Sequence, residues 1–351
     1  MARVGIGVEP TLGRPTGIGR YTADLLAALR AVAPEHEYVP LGPARERVMR
    51  IDRRLRWQQY ELPGAARRAG VDLLHVTGFD APLRSPVPVV LTVHDLVGVL
   101  RPKDHPIAAR LYWGRWLPRT VRHADAVVAD SQSTRRDVAA MCGVAATDVT
   151  VVYPGVAERF GPASAGAVAE VRRRHRLRRP YLLFVGATEP RKGIDTLLAA
   201  FSALCGRCPH DLVLAGPLTR TLPAISSSVP PGRVHVLGYV ADDDLPALYT
   251  GADVAVLPSR HEGFGFPVVE AMACGTPVVC TPAGAMGEVT AGAALLVAPD
   301  HPTALGEAVA RVIETPSLAE ELRTAGARRA KEFDWRRAAA DTARVYAAVA
   351  R

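Results

Sequence analysis

The stretch Pro258–Val279, PSRHEGFGFPVVEAMACGTPVV, holds a glycine loop between two apolar runs. The run before it, VAVL, and the run PVVC at its end have the length and composition of buried parallel strands. Pro267 suits the first position of a short helix, and Gly275 suits the cap at its C-terminal end. This order places the loop at the carboxyl end of a parallel sheet, where open α/β folds bind ligands.

Two carboxylates are the candidate ligand groups of this stretch: Glu262 in the loop and Glu270 in the predicted first turn of the helix. Unpaired N–H groups and the positive end of the helix dipole lie beside a first turn, so hydroxyl and anionic ligands both find partners there. In the alternative interpretation, Glu270 only complements the dipole and Glu262 is a solvated loop charge. The spacing alone leaves both interpretations open.

The whole segment resembles the donor-sugar motif of the family 4 retaining glycosyltransferases, written E-G-F-G-L-P-x-x-E-A-M-A-x-G-x-P-V-V. Phe266 stands where the family has leucine, a departure that bears on the shape of the sugar pocket. The resemblance implies that Glu270 holds the ribose hydroxyls of a nucleotide sugar and that Glu262 holds hydroxyls of the transferred sugar. It assigns the sugar and phosphate to the backbone of Gly263, Phe264, Gly265 and Phe266.

Length and composition indicate a globular protein of two domains. The chain has 351 residues, of which 48% are hydrophobic and 22% charged, and this length is too great for one ordinary domain. It contains no run of eighteen apolar residues, and its N-terminus goes directly into a strand rather than a signal peptide. We therefore expect a cytoplasmic protein.

The positive charge is concentrated in the first half. Residues 1–180 carry 28 basic and 17 acidic side chains, a net charge of +11, whereas residues 181–351 carry 15 and 18, a net charge of −3. Such asymmetry is typical of a half that meets an anionic partner, and an arginine-rich composition without a partner is the alternative. We favour peripheral contact with the inner face of an anionic membrane over nucleic acid, and expect no nucleic-acid partner.

The five cysteines form no disulfide framework. Cys205 and Cys208 make a C-x-x-C pair, but further ligands at the spacing of a zinc site are missing. A redox pair normally opens a helix after a strand, which this one does not. The pair therefore predicts the end of a helix with reduced thiols.

The N-terminal region predicts a strand from Val4 to Val8, a glycine-bearing loop and a helix from about Ile18. It lacks the G-x-G-x-x-G pattern, which disfavours a nicotinamide dinucleotide. In the family that the chain resembles, a G-G-I-G-R-Y loop meets the donor phosphates or the acceptor. Thr16 replaces the first glycine here, so Gly17 and Gly19 are the candidate binding residues. In the alternative interpretation, these glycines only allow the backbone to turn.

His94 follows a buried apolar run, PVVLTV, at the carboxyl end of a predicted strand. A histidine there can donate to a sugar hydroxyl or stabilise charge, and the family resemblance places the T-x-H-D-L run near the transferred sugar. In the alternative interpretation, His94 only forms hydrogen bonds with polar groups at the edge of its own sheet.

Two further segments of the first half are basic and partly apolar. Residues 44–70 predict helices with arginines on most faces, which suits either anionic headgroups or solvent. Residues 101–123 contain Tyr112, Trp113 and Trp116 among arginines, which suits an acceptor groove, a membrane-facing edge or ordinary packing.

Lys192 is one of only three lysines among 43 basic residues, and it follows Arg191 in a turn that leads into a helix. A compact charge in that place suits a pyrophosphate, although a surface lysine is the alternative. The run E-P-R-K resembles one in the family whose arginine and lysine neutralise the nucleotide diphosphate. Ala187 stands where some members have a further arginine, so Arg191 and Lys192 carry that task.

The strand and helix pattern, with the resemblance, predicts an α/β protein of the GT-B class, with two Rossmann-like parallel-sheet domains facing each other across a cleft. We place an acceptor-binding domain at residues 1–165 and a donor-binding domain at residues 166–335. Residues 336–351 predict a terminal helix that crosses back to the first domain.

The predicted function is a retaining glycosyltransferase that moves a hexose from a nucleotide-diphosphate sugar to a glycan, lipid or small-molecule acceptor, as in polysaccharide biosynthesis. The E-P-R-K run makes mannose and GDP-mannose the first choice, ahead of UDP- and dTDP-hexoses. Arg191 and Lys192 would stabilise the leaving diphosphate, with His94 and Glu262 positioning the sugar and no metal or cofactor required. The alternatives are a sugar-nucleotide epimerase or phosphorylase on the same fold, and a basic membrane- or nucleic-acid-binding protein without catalysis.

Overall fold

A computed structural model describes residues 2–12, 16–43, 51–78, 80–104 and 112–349 of the chain. The predictions for residues 13–15, 44–50 and 105–111 therefore lie outside the described residues. The chain divides into two compact units, the first formed by residues 1–155 with 334–351 and the second by residues 156–333. The predicted boundary lies ten residues later, because the segment before it already belongs to the second unit, where Ala163 N donates to Thr250 Oγ1 at 3.0 Å.

The first unit contains a six-stranded sheet in which every neighbouring pair is parallel, in the order β2-β1-β3-β4-β5-β6. The strands are β1 (Arg3–Gly7), β2 (Glu37–Leu41), β3 (Leu73–Val76), β4 (Val89–Val93), β5 (Ala126–Ala129) and β6 (Val149–Val151). The helices described in this unit are α1 (Gly17–Val32), α2 (Ile51–Arg56), α3 (Leu62–Ala69), α4 (Val97–Leu100), α5 (Leu117–His123) and α6 (Gln132–Cys142). A π-helical turn, Trp57–Glu61, joins α2 to α3.

The second unit repeats this architecture with a second parallel sheet, in the order β12-β11-β10-β7-β8-β9. Its strands are β7 (Tyr181–Val185), β8 (Asp211–Ala215), β9 (Val234–Gly238), β10 (Val254–Leu257), β11 (Val278–Cys280) and β12 (Leu295–Leu296). Its helices are α7 (Ala165–Arg174), α8 (Ile194–Leu204), α9 (Leu245–Thr250), α10 (Phe266–Ala273), α11 (Met286–Thr290), α12 (Pro302–Glu314) and α13 (Pro316–Ala330). These two sheets confirm the predicted α/β class.

The central strands are mostly apolar, as expected for parallel strands that are covered on both faces; His75 on β3 and Thr92 on β4 are polar exceptions, and they contact each other at 2.8 Å. Every residue of β4, β7 and β10 is buried. Leu182 and Phe184 of β7 belong to a core cluster with α8 and α12. Continuous apolar runs such as VAVL therefore mark the central strands.

The terminal helix α14 (Trp335–Val349) belongs to the first unit, where it packs on α1. Its Tyr346 hydroxyl lies 2.6 Å from Nδ1 of the fully buried His75 on β3. Trp335 meets the ring of Tyr21 edge to face, with 5.4 Å between centroids. The chain thus returns to the first sheet after completing the second.

No helix among the described residues is both long and apolar enough to cross a membrane.

Candidate active site

The loop of residues 258–265 leaves the carboxyl end of β10 and enters α10, as the sequence predicts. The helix begins at Phe266, so Pro267 is its second residue and not its first. Gly265, with a φ of +92°, is the N-cap. Glu270 is then the fifth residue of the helix, and its predicted place in the first turn is wrong. Its carboxylate does not benefit from the helix dipole in the way the sequence suggested, because that effect is confined to the first turn.

Glu262 lies at the centre of a buried polar cluster. Its Oε1 accepts hydrogen bonds from Lys192 Nζ and Ser259 Oγ, both at 2.6 Å, and its Oε2 accepts one from Arg191 at 3.2 Å. Glu262 is 7% exposed and Lys192 is 8% exposed. The structure thus brings the predicted pair Arg191 and Lys192 together with Glu262, which lies 70 positions after Lys192.

The electrostatics of this cluster keep Glu262 ionised. Burial alone would raise the pKa of its carboxyl group, but the charges of Lys192 and Arg191 and the hydrogen bonds from Lys192 and Ser259 outweigh burial. Together they lower the pKa of Glu262 from 4.5 to about 2. At neutral pH the cluster therefore holds a carboxylate between two cations.

Two glycines allow the loops to approach closely enough to form this cluster. Gly193, with a φ of +67°, follows Lys192, and a Cβ there would lie 2.1 Å from the carbonyl oxygen of Pro258. Gly284, with a φ of +66°, would place a Cβ 2.1 Å from the carbonyl oxygen of Glu262. Both positions combine a left-handed backbone with a backbone contact, so only glycine fits.

An arginine of the loop further fixes this approach. Arg260 N donates to the Arg191 carbonyl at 2.6 Å, and the Arg260 guanidinium pairs with Asp195 on α8 at 2.6 Å and with Asp300. These contacts join the 258–265 loop to the turn that carries Lys192. The cluster is therefore held by backbone and side-chain bonds on both sides.

Glu270 has a different set of partners. It is 3% exposed, and its Oε2 accepts a hydrogen bond from the hydroxyl of Tyr249 on α9 at 2.9 Å. The Tyr249 carbonyl in turn accepts from Thr276 Oγ1 at 2.7 Å. Phe264, between the two glutamates, is 3% exposed and packs edge to face on Phe333, so its ring belongs to the core and its backbone remains the part that can face a ligand.

His94 of the first unit makes two hydrogen bonds at the carboxyl end of β4. Its Nδ1 lies 2.6 Å from Asp130 Oδ2, and its Nε2 lies 2.9 Å from the carbonyl oxygen of Thr77. Burial would lower the pKa of His94, but the Asp130 carboxylate and these hydrogen bonds raise it. Both ring nitrogens are occupied by these two oxygen atoms, and neither remains for a sugar hydroxyl in this arrangement. The sugar contact of His94 stays a prediction.

The predicted glycines of the N-terminal loop lie in the first turn of α1. Thr16 is the N-cap, and its Oγ1 accepts from Gly19 N at 3.0 Å, which is a reason for threonine in place of the family's glycine. Gly17 is exposed, whereas Gly19 is buried against the backbone of Pro10. Their predicted contact with phosphate or acceptor stays a prediction.

Several polar residues of these clusters were not predicted from the sequence. Ser259, Tyr249 and Asp130 are contacts of predicted residues. Asp80 is fully buried in the first unit and accepts a hydrogen bond from Trp116 Nε1 at 3.2 Å. Asp80 and Asp130 both follow buried strands closely, and this polar position after an apolar run is the signal that could have found them.

Among the described residues, no group of three or more His, Cys, Asp or Glu side chains is placed to hold a metal ion.

Two family models match the chain. The model for glycosyl transferases group 1 matches residues 149–329, and the model for glycosyltransferase family 4 matches residues 15–160. The chain belongs to the glycosyltransferase family that these two models describe. The first match contains the Lys192–Glu262 cluster and Glu270, and the predicted resemblance is confirmed.

Three relatives share about a third of the aligned residues with this glycosyltransferase. It is 29% identical over 264 residues to the O-antigen chain mannosyltransferase B of Escherichia coli, which covers 73% of this chain and 69% of the relative. It is 34% identical over 315 residues to a D-inositol 3-phosphate glycosyltransferase of Salinispora tropica, covering 80% and 65%. It is 31% identical over 311 residues to the MMP alpha-(1->4)-mannosyltransferase of Mycolicibacterium hassiacum, covering 80% and 72%.

Solved structures share the fold along nearly the whole glycosyltransferase chain. The sucrose-phosphate synthase of Thermosynechococcus elongatus superposes with a TM-score of 0.78 and 21% identity, covering 99% of this chain and 98% of that one. Anabaena HepE in complex with UDP and glucose superposes with a TM-score of 0.76 and 18% identity, covering 99% and 100%. The predicted GT-B class, with two Rossmann-like parallel sheets, is confirmed.

Proposed function

We propose that this glycosyltransferase moves a hexose, with mannose as first candidate, from a nucleotide-diphosphate sugar to a hydroxyl group of a glycan, lipid or small-molecule acceptor, with retention at the anomeric carbon. The observation that carries the proposal is the cluster of buried Lys192 and Glu262 with partly exposed Arg191, which follows the carboxyl ends of β7 and β10. Two of the relatives are named mannosyltransferases, and the HepE structure contains UDP and glucose. The first fact supports mannose as the transferred sugar, and the second supports a nucleotide sugar as donor.

Lys192 is the residue best placed to stabilise the leaving diphosphate. An ammonium group has three N–H donors, and among the described residues Lys192 donates one hydrogen bond, to Glu262. Two donors are left for phosphate oxygens. Because the amine is held in place before the ligand arrives, little reorganisation is needed when charge develops on the diphosphate.

Glu262 has a second function in this proposal, besides contact with the transferred sugar. A carboxylate has about four acceptor positions, and three are used by Lys192, Ser259 and Arg191. One position is left for a sugar hydroxyl. We infer that Glu262 chiefly orients the two cations and uses its remaining acceptor position to fix the sugar beside them. We do not assign it as a covalent nucleophile.

In this proposal, the Glu270 carboxylate accepts hydrogen bonds from the ribose hydroxyls of the nucleotide. Tyr249 donates to one oxygen of its carboxylate, which fixes the side chain, and an oriented carboxylate can accept from two neighbouring hydroxyls. The nucleotide would then lie along α10, with the backbone from Gly263 to Phe266 next to the phosphates and the sugar. In the first unit, Gly17 and Gly19 would meet the donor phosphates or the acceptor, and His94 would meet the sugar only after its Nε2 releases the carbonyl oxygen of Thr77.

A nucleotide screen tests the donor. We expect GDP to raise the Tm of the protein more than UDP, dTDP or ADP at equal concentration, because a ligand that binds only the folded state stabilises it. The Lys192→Ala variant should lose most of the shift. A larger Tm shift with UDP would indicate a uridine and not a guanosine nucleotide in the donor. The absence of a Tm shift with all four nucleotides would contradict the nucleotide site.

Removal of metal tests the role of the two cations. If Lys192 and Arg191 neutralise the diphosphate, no divalent ion is needed to stabilise the negative charge of the leaving group. Extensive dialysis against EDTA should then leave the transfer rate unchanged within about twofold. The rate is measured with and without added Mg²⁺ or Mn²⁺. A rate that falls to background with EDTA and returns with the metal would contradict the proposal.

Product analysis separates the alternatives on the same fold. A glycosyltransferase releases nucleotide in proportion to the acceptor that it modifies. An epimerase would need no acceptor and would yield the epimeric sugar nucleotide, or free nucleotide and free sugar where the sugar–phosphate bond is also cleaved. A phosphorylase would require a pyridoxal-phosphate lysine, for which the ion-paired Lys192 is unsuited. The same assay therefore decides between transfer and epimerisation.

Helices α2 and α3 of the first unit support a peripheral membrane contact. They expose Arg53, Arg56, Arg67 and Arg68, and the ring of Tyr60 between them is 77% exposed. Exposed arginines next to an exposed aromatic residue are typical of surfaces that bind anionic headgroups.

We expect the protein to sediment with vesicles that contain anionic lipid at low salt, and to be released as salt rises. Charge reversal of Arg53 and Arg67 to Glu should reduce the bound fraction severalfold. The matched control is Arg173→Glu, an exposed arginine of the second unit. Equal sedimentation with purely zwitterionic vesicles would contradict the electrostatic contact.

A further inference from the structure

Two π-helical turns of the first unit contact the segment around Asp80. The first turn, Trp57–Glu61, follows α2, and the second, Tyr112–Trp116, precedes α5. Turns of this kind are rare within helices and occur frequently at functional sites. The second turn lies in the aromatic and basic segment for which the sequence left an acceptor groove, a membrane-facing edge and ordinary packing open.

The first turn is bonded to the residues that follow Asp80. Gln59 Nε2 donates to the carbonyl oxygen of Ala81 at 3.0 Å, and Gln59 Oε1 accepts from Leu83 N at 2.9 Å. These bonds reach across 22 and 24 positions of the chain. They fix the turn against the loop that carries Asp80 after the end of β3.

The same turn and the end of α2 meet the residues that precede Asp80. A Cβ on Gly78 would lie 3.5 Å from Arg54 Nη2 and 3.8 Å from Gln58 Nε2. Arg54 Nε lies 3.7 Å from Oε2 of Glu9, which follows β1, the neighbour of β3 in the sheet. Four polar side chains thus converge after the carboxyl ends of β1 and β3. We call Asp80, Gln58, Arg54 and Glu9 the Asp80 cluster.

Two oxygen atoms of the Asp80 cluster are buried without a hydrogen bond. Asp80 Oδ2 accepts from Trp116 Nε1 at 3.2 Å, but Asp80 Oδ1 has no hydrogen-bond partner among the described residues, and neither has Gln58 Oε1. Asp80 is 0% exposed and Gln58 is 2% exposed. A buried acceptor without a partner destabilises a fold, so its presence calls for a group from outside the chain that donates to it.

The other two members of the cluster reach solvent. The side chain of Glu9 is 12% exposed and that of Arg54 is 15% exposed. A molecule that approaches the Asp80 cluster therefore meets the partly exposed ion pair before the two buried oxygens.

The chemistry of the cluster selects hydroxyl groups over phosphate. Asp80 Oδ1 and Gln58 Oε1 are acceptors, so their partners must donate. Burial raises the pKa of Asp80 and the charge of Arg54 opposes this rise, but a hydroxyl group both donates and accepts, so it suits the carboxyl group in either state. A phosphate group brings acceptor oxygens and negative charge, and the cluster already has two carboxylates for one guanidinium.

We propose that the Asp80 cluster is the acceptor subsite of this glycosyltransferase and binds hydroxyl groups of an uncharged sugar. One hydroxyl of this sugar donates to Asp80 Oδ1 and a second donates to Gln58 Oε1. The word acceptor rests on the proposed transfer reaction, whereas the contact with the sugar does not. Because Lys192, Glu262 and Glu270 of the proposed donor site belong to the second unit, loss of one site should leave the other intact.

Saturation-transfer NMR on the full chain without nucleotide tests the contact with the sugar. The probes are the methyl α-glycosides of mannose, glucose, galactose and N-acetylglucosamine. We expect at least one of them to bind, and Asp80→Ala to weaken its binding about tenfold or more, because hydrogen bonds to charged groups are the stronger ones. Gln58→Leu should weaken it severalfold. Asp80→Asn, which keeps an oxygen for Trp116, should have an effect between those of the unaltered protein and Asp80→Ala.

The matched control is Asp148→Ala, which removes an exposed aspartate of the same unit. It should bind the glycoside as well as the unaltered protein does. The Tm of each variant is measured with and without the nucleotide that gives the largest shift in the donor screen. That shift should be unchanged in all variants, since a structural role of Asp80 would lower the Tm itself and leave the sugar affinity of the folded protein unaltered.

Two outcomes would overturn the subsite while a retained nucleotide shift leaves the donor site standing. One is the absence of binding of all four glycosides to the unaltered protein. The other is unaltered glycoside binding by folded Asp80→Asn and Gln58→Leu proteins, which also keep the test decisive if Asp80→Ala does not fold.

Sugar phosphates test the preference for an uncharged sugar. Mannose 6-phosphate and glucose 6-phosphate should bind the unaltered protein severalfold more weakly than the corresponding methyl glycosides, and Asp80→Asn should narrow this difference because it removes a negative charge. Tighter binding of either sugar phosphate, weakened by Asp80→Ala, would overturn the assignment to an uncharged sugar.

Discussion

Lys192→Ala should lower kcat/KM for the nucleotide-sugar donor by about ten- to a hundredfold or more, because a charge-assisted hydrogen bond contributes about 1.5–3 kcal/mol. Part of the loss should appear as weaker binding of the free nucleoside diphosphate, since the ammonium interacts with the diphosphate before as well as during transfer. Binding of the nucleoside itself should change little. Calorimetry with the diphosphate and the nucleoside, beside initial rates, checks each part.

The matched control is Lys331→Ala, which removes an exposed lysine that follows α13 in the same unit. It should keep the rate and the nucleotide affinity of the unaltered protein. Loss of Lys192 also leaves Glu262 buried with one cation fewer, so the Tm of both variants is measured to separate misfolding from lost chemistry. A folded Lys192→Ala protein with an unaltered rate would exclude Lys192 from the site.

The sequence predicted the strands of the second unit well because they are continuous apolar runs. VAVL is β10. The predicted cap of α10 at Gly275 is wrong by one residue, because Cys274 is the C-cap and Gly275, with a φ of +73°, follows it. The start of α10 was less accurate, because proline is tolerated at more than one position of a first turn, and this error moved Glu270 out of that turn. Boundaries that depend on one proline are weaker predictions than strands that depend on four buried residues.

Contacts between distant segments were beyond the sequence. The pairing of Lys192 with Glu262 spans 70 positions, and no local periodicity encodes it. The family resemblance, with the rule that ligand loops share the carboxyl edge of a parallel sheet, assigned both residues to one site. The partners of His94 show the limit of that rule. Its place at the end of β4 was predicted, but the Asp130 carboxylate that fixes its ring comes from the neighbouring strand end.

Glu262→Gln should destabilise the second unit by about 3–5 kcal/mol at neutral pH, because it leaves Lys192 buried without its anion. Arg191 is partly exposed and keeps its ion pair with Glu189 at 2.7 Å. The pKa of Glu262 gives the pH dependence. Its value of about 2 in the folded state lies below the ordinary 4.5, so the carboxylate stabilises the fold fully above pH 4.5 and loses this effect as pH falls toward 2. The shift corresponds to about 3 kcal/mol, which agrees with the loss expected from breaking the pair.

Urea unfolding of the unaltered and Glu262→Gln proteins, compared at a series of pH values, checks this expectation. The difference in unfolding free energy should be constant from neutral pH to about pH 5 and should shrink below pH 4.5, when protonation removes the charge that glutamine lacks. Glu320→Gln, which changes an exposed ion pair with Arg323, should show a difference of less than about 1 kcal/mol throughout. A Glu262→Gln difference that stays the same down to pH 3 would mean that the ionised carboxylate does not hold the two cations, and the proposed preorganisation of Lys192 would fail with it.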